Sequence, residues 1–267
     1  MKLGEDFDFD TLLVQMVAPF VVQVTLQRPE VRNAINSIMM KELHTLWVQV
    51  ARCSQDIRCI VLTGTGDKAF SAGADLKERS TLTLQTWQTQ HVVLEQAMLA
   101  MLDSPIPILA AVNGAAFGGG LELVLASDFA YAATTARFAQ SETKWGLIPA
   151  AMGTQRLPRA CGLARAKELC FTAETFTAEE ALAWGIVNKL CEPQTLLAEI
   201  LQTAQKIAHN APLAVLQAKK SLNASQNTDL RTGYFYEIEA YFRTLSSQDR
   251  EEGIRAFVEK RDPRYSG

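Results

Sequence analysis

Two glutamates stand where a carboxylate invites a chemical explanation. Glu122 lies in "AFGGGLELVLASD" (116–128), flanked by Leu121, Leu123, Val124 and Leu125. An ionised glutamate in such a run costs several kcal/mol unless it is paired. An apolar setting also raises its pKa, which suits it to act as an acid as well as a base. Glu142, in "FAQSETKWGLIP" (138–149), follows a short apolar segment and precedes Trp145, Ile148 and Pro149. Two carboxylates around one water can perform addition to a double bond: one takes a proton from water, the other delivers a proton to carbon. Taken singly, Glu122 reads equally well as a glutamate paired with an arginine for structure, and Glu142 as a surface loop residue.

Such an addition also needs a place for developing negative charge. In "FSAGADLKER" (70–79), Asp75 and Glu78 have capping-box spacing, which predicts a helix beginning at Asp75. The amide of Ala74 then lies beside a helix N-terminus, with small neighbours Ser71, Ala72 and Gly73 leaving it open. The triplet Gly118, Gly119 and Gly120 offers a second free amide, at Gly119, where another helix opens with partial positive charge. Two amides converging from separate turns form an oxyanion hole able to hold an enolate oxygen. Either turn alone is ordinary turn chemistry; together with the carboxylates they point to a reaction. "GTGDKA" (64–69) fits a dinucleotide fingerprint in spacing, but "FSAGAD" interrupts the helix it requires and no acidic residue follows at the right distance.

The elements that must position these groups are alternating strands and helices. "FVVQVTLQ" (20–27), the continuously apolar "CIVLTGTG" (59–66) and "PILAAVNG" (107–114) read as strands, followed by the shorter "DFAYAAT" and "ARFAQ". "INSIMMKELHTLWVQVARC" and "VVLEQAMLAML" read as helices, the second preceded by a polar stretch rich in Thr and Gln. Beyond about residue 153 the chain is mostly helical, with "IVNKL" (186–190) strand-like. The fold class expected is α/β with a helical back.

With 267 residues, 48% of them hydrophobic, 21% charged and a net charge of -3, the composition is that of a globular protein with no bias toward nucleic acid or an anionic membrane. No apolar stretch reaches the ~18 residues of a membrane span. Cys53, Cys59, Cys161, Cys170 and Cys191 form no CxxC pair, as expected of free thiols in a reducing compartment. His44, His91 and His209 lack zinc-site spacing, so no metal is expected. The opening "MKLGEDFDFD" is too acidic for a presequence, and the location expected is cytoplasmic.

In this order, "LQRPEVRNAIN", "FSAGADLKER", "PILAAVNGAAFGGGLELVLASD", "FAQSETKWGLIPAAMGTQRLPRACG", "AEEALAWGIVNKL" and "EEGIRAFVEKR" resemble the enoyl-CoA hydratase/isomerase (crotonase) superfamily over nearly the whole chain. The resemblance implies a spiral of ββα turns over residues 1–200 and a helical trimerisation region over 201–267. It implies coenzyme A thioester substrates, no separate cofactor, and trimers or dimers of trimers. It makes Ala74 and Gly119 the oxyanion amides and Glu122 and Glu142 the catalytic pair. It lays CoA along Ala72, Gly73, Ala74 and Asp75, and brings Phe257 and Lys260 to CoA bound by a neighbouring subunit. Retention of both glutamates implies syn hydration of trans-2-enoyl-CoA, where a double-bond isomerase keeps one acid.

"GADLKER", "RLPRACGLARAKEL" and "EKRDPRY" resemble the methylglutaconyl-CoA hydratase branch more than the short-chain enzyme. RNA binding, known in that branch, does not carry over, because residues 36–52 hold only Lys41 and Arg52 as cations. A non-enzymatic scaffold is the remaining reading, and the intact acids and glycines argue against it. One departure is "PAAM" (149–152), where the family shows mostly glycine. Side chains of Ala150, Ala151 and Met152 directed at the acyl chain would narrow the pocket and favour a linear over a β-branched substrate.

Overall fold

The computed structural model describes residues 8–52 and 56–267; Cys53 and the acidic opening residues 1–7 lie outside them. β1 (Leu12–Ala18) and β2 (Val21–Leu26) form an antiparallel pair. The Asn36 side chain accepts from the Met39 amide and so opens α1 (Ser37–Val50), which buries Met39, Leu43, Leu46, Trp47 and Val50. A repeating unit follows: a long strand, a short strand, then helix. β3 (Cys59–Gly64) and β4 (Ala69–Ser71) lead into α2 (Leu76–Arg79) and α3 (Leu84–Leu102). β5 (Ile108–Val112) and β6 (Ala115–Phe117) lead into α4 (Gly119–Ala126). β7 (Phe129–Ala133) and β8 (Arg137–Ala139) lead into α5 (Gly153–Cys161) and α6 (Leu163–Thr172). β9 (Phe176–Thr177), α7 (Ala178–Ala183) and β10 (Lys189–Cys191) complete the turns, followed by α8 (Leu196–His209), α9 (Pro212–Ser225), α10 (Leu230–Leu245) and α11 (Gln248–Glu259).

The long strands align in one sheet, ordered β1-β2-β3-β5-β7-β10 and parallel from β2 onward, while the short strands form a second sheet, β4-β6-β8-β9. This is the expected spiral of ββα turns. The continuous apolarity of β3 and β5 now has its cause, because both faces of the sheet are covered. Ile60, Leu62, Ile108 and Ala110 pack with Leu43, Trp47 and Met98 of α1 and α3. Cys59, Val61, Leu109 and Ala111 pack on the opposite face with Leu196, Ile200, Ala204 and Ala208 of α8. α8 therefore belongs to the sheet layer and runs across the 200/201 division drawn from the sequence. Lys219 of α9 is tied back by its ammonium, which donates to the Ile106 carbonyl at 2.9 Å and meets Asp128 at 2.8 Å.

Three features differ from the sequence reading. β1 was not expected; it is an edge strand with one buried residue, Leu12, and so carries no clean alternation. α3 starts at Leu84, eight residues ahead of "VVLEQAMLAML", because the Thr83 hydroxyl accepts from the Thr86 amide and caps it. The helical stretch after residue 153 is broken into α5 and α6 at Gly162, whose φ of +79° a side chain would disfavour. Among the described residues no helix is long and apolar enough to cross a membrane.

Candidate active site

The site is built where two strand-to-helix turns meet. Ile35 pairs with the turn after β4 as a parallel bridge: its amide donates to Gly73 O at 2.8 Å, and its carbonyl accepts from the Asp75 amide at 2.9 Å. Because that bridge uses the groups of residues 73 and 75, the intervening Ala74 amide points the other way, toward the cavity. The turn after β6 is fixed by the Gly118 amide, which donates to Ala139 O at 2.8 Å. Gly118 takes φ 50° and ψ −120°, and Gly119 becomes the first residue of α4, where an amide has no partner within the helix. A methyl on Gly73 would lie 3.1 Å from the Gly119 nitrogen, and one on Gly119 would lie 3.8 Å from the Ala74 nitrogen. The two amides are therefore neighbours, and neither has a hydrogen-bond partner among the described residues.

Both glutamates face the same cavity, of about 660 Å³, which is also lined by Ala72, Ala74, Gly118 and Gly119. Glu122 is 3% exposed, and its Oε1 accepts from the amides of Ala151 and Gly153, each at 2.8 Å. Burial pushes its pKa up to about 7, with a further push from the charge of Glu142; the two amides and Arg79 act in the opposite direction. Glu142 opens a single 3₁₀ turn (Glu142–Trp145), and its two oxygens accept from Gln140 Nε2 at 3.0 and 3.1 Å. Burial raises its pKa too, opposed by the Gln140 bond and by Arg79. The two carboxyls line one cavity, burial favours the protonated form of each, and the charge of Glu142 adds to the rise at Glu122, so the two titrations are linked. A linked pair with raised pKa values suits a division of labour in which one member accepts a proton while the other donates.

The remaining expected residues divide. Gly73 is buried and supplies the φ of +83° that turns the chain, and its missing side chain lets Phe117 O approach. Asp75 turns its carboxylate away from the cavity: it caps α2 by accepting from the Glu78 amide at 3.2 Å and pairs with Arg28 at 3.0 Å. Phe257, 84% exposed, and Lys260, at the C-terminal cap of α11, are not among the residues lining the cavity of this chain. Ala150 and Ala151 do line it. Met152 does not; it adopts φ 75° as the N-cap of α5, and this left-handed turn lets the amides on either side of it, at residues 151 and 153, converge on Glu122. Two residues were missed by the sequence reading. Gln140, fully buried, holds Glu142, and Arg79 lines the cavity with its guanidinium 5.0 Å from the Trp87 ring centroid. Both lie inside the stretches "FSAGADLKER" and "FAQSETKWGLIP", but an arginine and a glutamine there signal nothing until the fold sets them beside the glutamates.

Residues 18–267 match the family model described as enoyl-CoA hydratase/isomerase. The chain belongs to this family. Its relatives include the protein YngF of Bacillus subtilis, 42% identical over 97% of this chain and 99% of that one. A short-chain-enoyl-CoA hydratase of Clostridium acetobutylicum is 37% identical over 90% of this chain and 92% of its own. Among solved structures, an enoyl-CoA hydratase from Bacillus anthracis superposes with a TM-score of 0.94 at 39% identity, covering 97% of this chain and all of that one.

The raised pKa of Glu122 has a thermodynamic consequence. Between 4.5 and about 7 the folded state keeps a proton that the unfolded chain releases, so stability falls as pH rises through that window. Glu122→Gln keeps an oxygen for both amides and removes the charge. Relative to this variant, the wild type should lose about 1–3 kcal/mol of unfolding free energy between about pH 4.5 and pH 8. Urea denaturation at the two pH values measures it; identical pH dependence in both proteins would contradict the burial of the charge.

Proposed function

We propose that this protein is an enoyl-CoA hydratase, adding water across the 2,3 double bond of short trans-2-enoyl-CoA thioesters to give 3-hydroxyacyl-CoA. The observation that carries the reading is the convergence of two unpartnered amides and two raised-pKa carboxyls on one cavity, in a chain of this family. The Ala74 and Gly119 amides would receive the thioester oxygen, polarising the conjugated double bond so that its β-carbon becomes electrophilic. A water between Glu122 and Glu142 would lose one proton to the ionised carboxylate as its oxygen bonds to the β-carbon. The resulting enolate oxygen is held by the two amides, and the protonated carboxyl gives its proton to the α-carbon. Water is consumed and no external acid is required. A double-bond isomerase on the same scaffold needs one acid, and two aimed at one cavity favour hydration.

On this reading CoA runs over the turn at Ala72, Gly73, Ala74 and Asp75, with Asp75 acting through its cap on α2. The methyl of Ala150 on the cavity wall favours a compact, linear acyl group. Free, buried Cys59 and Cys191, their thiols pushed by burial up to about 12 and about 11, suit a reducing, cytoplasmic setting.

Glu122→Gln and Glu142→Gln should each lower kcat for crotonyl-CoA hydration by at least ~100-fold, the scale of acid–base catalysis. KM should move little, because the acids act in the transition state. Formation of 3-hydroxybutyryl-CoA can be followed directly by chromatography. Wild-type turnover in either variant would defeat the assignment.

The assembly proposed is a homotrimer, free or paired into a hexamer. Its support is the apolar surface carried by the last helices: Phe235 and Phe242 of α10 and Phe257 and Val258 of α11 are 59%, 62%, 84% and 73% exposed. In such an assembly Phe257 and Lys260 would reach CoA held by the next subunit, Lys260 meeting a phosphate as a point charge. Light scattering on the active protein should give three or six times the chain mass, and a fully active monomer would overturn this arrangement.

A further inference from the structure

Arg79 is the one arginine or lysine among the described residues lining the cavity. It ends α2, the short helix capped by Asp75, and its guanidinium lies over the face of Trp87 from α3. It is half-buried, yet it makes no ion pair and no side-chain hydrogen bond among the described residues. A cation removed from water without a paired carboxylate is costly, and stacking on an indole recovers only part of that cost.

The carboxylates around it are unequal in availability. Glu78, on the same helix, is taken up by the amide and hydroxyl of Ser37. Glu95 of α3 faces His91 at 3.4 Å. Glu122 from α4 and Glu142 from the 3₁₀ turn line the same cavity as Arg79 and have no cationic partner in contact.

We infer that Arg79, steadied on Trp87, is a positioning residue for the glutamate pair: its charge keeps one of the two carboxyls ionised while the other stays protonated. This deepens the hydratase reading and rests on it. A guanidinium outside contact distance leaves both carboxyls free for water and substrate, whereas a direct ion pair would occupy the base. The electrostatic influence acts on both members, since the charges of Glu122 and Glu142 hold Arg79 up against burial, and Arg79 in turn lowers each of them. Without the cation, two desolvated carboxyls facing each other would both keep their protons to higher pH, and the base would be missing at neutrality.

Arg79→Met removes the positive charge, raises the pKa of the pair and moves the acidic limb of the kcat/KM profile for crotonyl-CoA upward by about 1 pH unit, the low end of the effect of a nearby opposite charge. Turnover at pH 7 should fall by about two- to fivefold and recover as the pH is raised, with KM nearly constant. Arg79→Lys should leave the limb close to its wild-type position. Trp87→Leu, which keeps the charge and removes its platform, should move it part of the way and serves if Arg79→Met fails to fold.

An infrared titration of the carboxyl bands, assigned with Glu122→Gln and Glu142→Gln, reads the same shift without turnover. It therefore distinguishes the two claims. A wild type that does not hydrate crotonyl-CoA defeats the hydratase reading while the infrared shift still tests Arg79. Three results would overturn the role given to Arg79: an unmoved limb and unmoved carboxyl bands in Arg79→Met, a loss equal at every pH, or a loss confined to KM. The last would make it an anchor for a substrate anion.

Discussion

The whole arrangement depends on how closely two backbone turns approach each other. A methyl built on Gly120 would lie 2.3 Å from Ser71 O, and one on Gly73 would lie 2.5 Å from Phe117 O. Both encounters are with backbone, which cannot swing aside as a flexible side chain would. Glycine at 120 costs α4 some intrinsic stability, but together with Gly73 it allows β4 and β6 to end side by side with their following amides on one wall. The parallel pairing of β4 with β6 sets that distance, and the larger sheet beneath sets the pairing. A side chain in the gap would separate Ala74 from Gly119 and leave two ordinary turns.

The carboxylates are placed by the same constraint. Glu122 sits one turn along α4 from Gly119, so the helix that presents the amide also presents the acid. Its burial is tolerated because Oε1 receives two amides from the loop ahead of α5, and Met152 in a left-handed conformation is what lets both donate. A non-glycine residue there costs on the order of 1–2 kcal/mol, a strain located beside the reacting groups. Glu142 is steadied separately, by a fully buried glutamine two residues earlier. One acid is thus held by backbone and the other by a side chain.

Much of this was legible in the sequence because it is local. The spacing of Asp75 and Glu78 marks a helix start, and Asp75 does cap α2, although Glu78 turns to Ser37 in place of completing the box. The glycine triplet and the apolar flanks of Glu122 likewise carry their own signal. β1 and the first half of α3 were not legible. β1 is an edge strand whose apolar residues Leu13 and Met16 are exposed, and the start of α3 borders the open cavity, with Leu84 exposed and Trp87 on the cavity wall, so neither shows the periodicity of a buried element. Arg79 and Gln140 were missed for a different reason. Their significance lies in what tertiary structure sets beside them, and an arginine ending a short helix or a glutamine after a strand has no pattern that announces it.

The claim at the centre is that a free amide at Gly119 holds the charge that develops on the thioester oxygen. Gly119→Pro tests it most directly, because the first position of a helix accepts proline and the substitution removes the N–H while leaving Glu122 and Glu142 intact. The measurement is the single-turnover rate of crotonyl-CoA hydration, with the thermal midpoint recorded to verify the fold. A fall of about 100- to 1000-fold at an unchanged midpoint is the result expected of a lost oxyanion donor. A rate within a few-fold of wild type would show that the oxygen is held elsewhere.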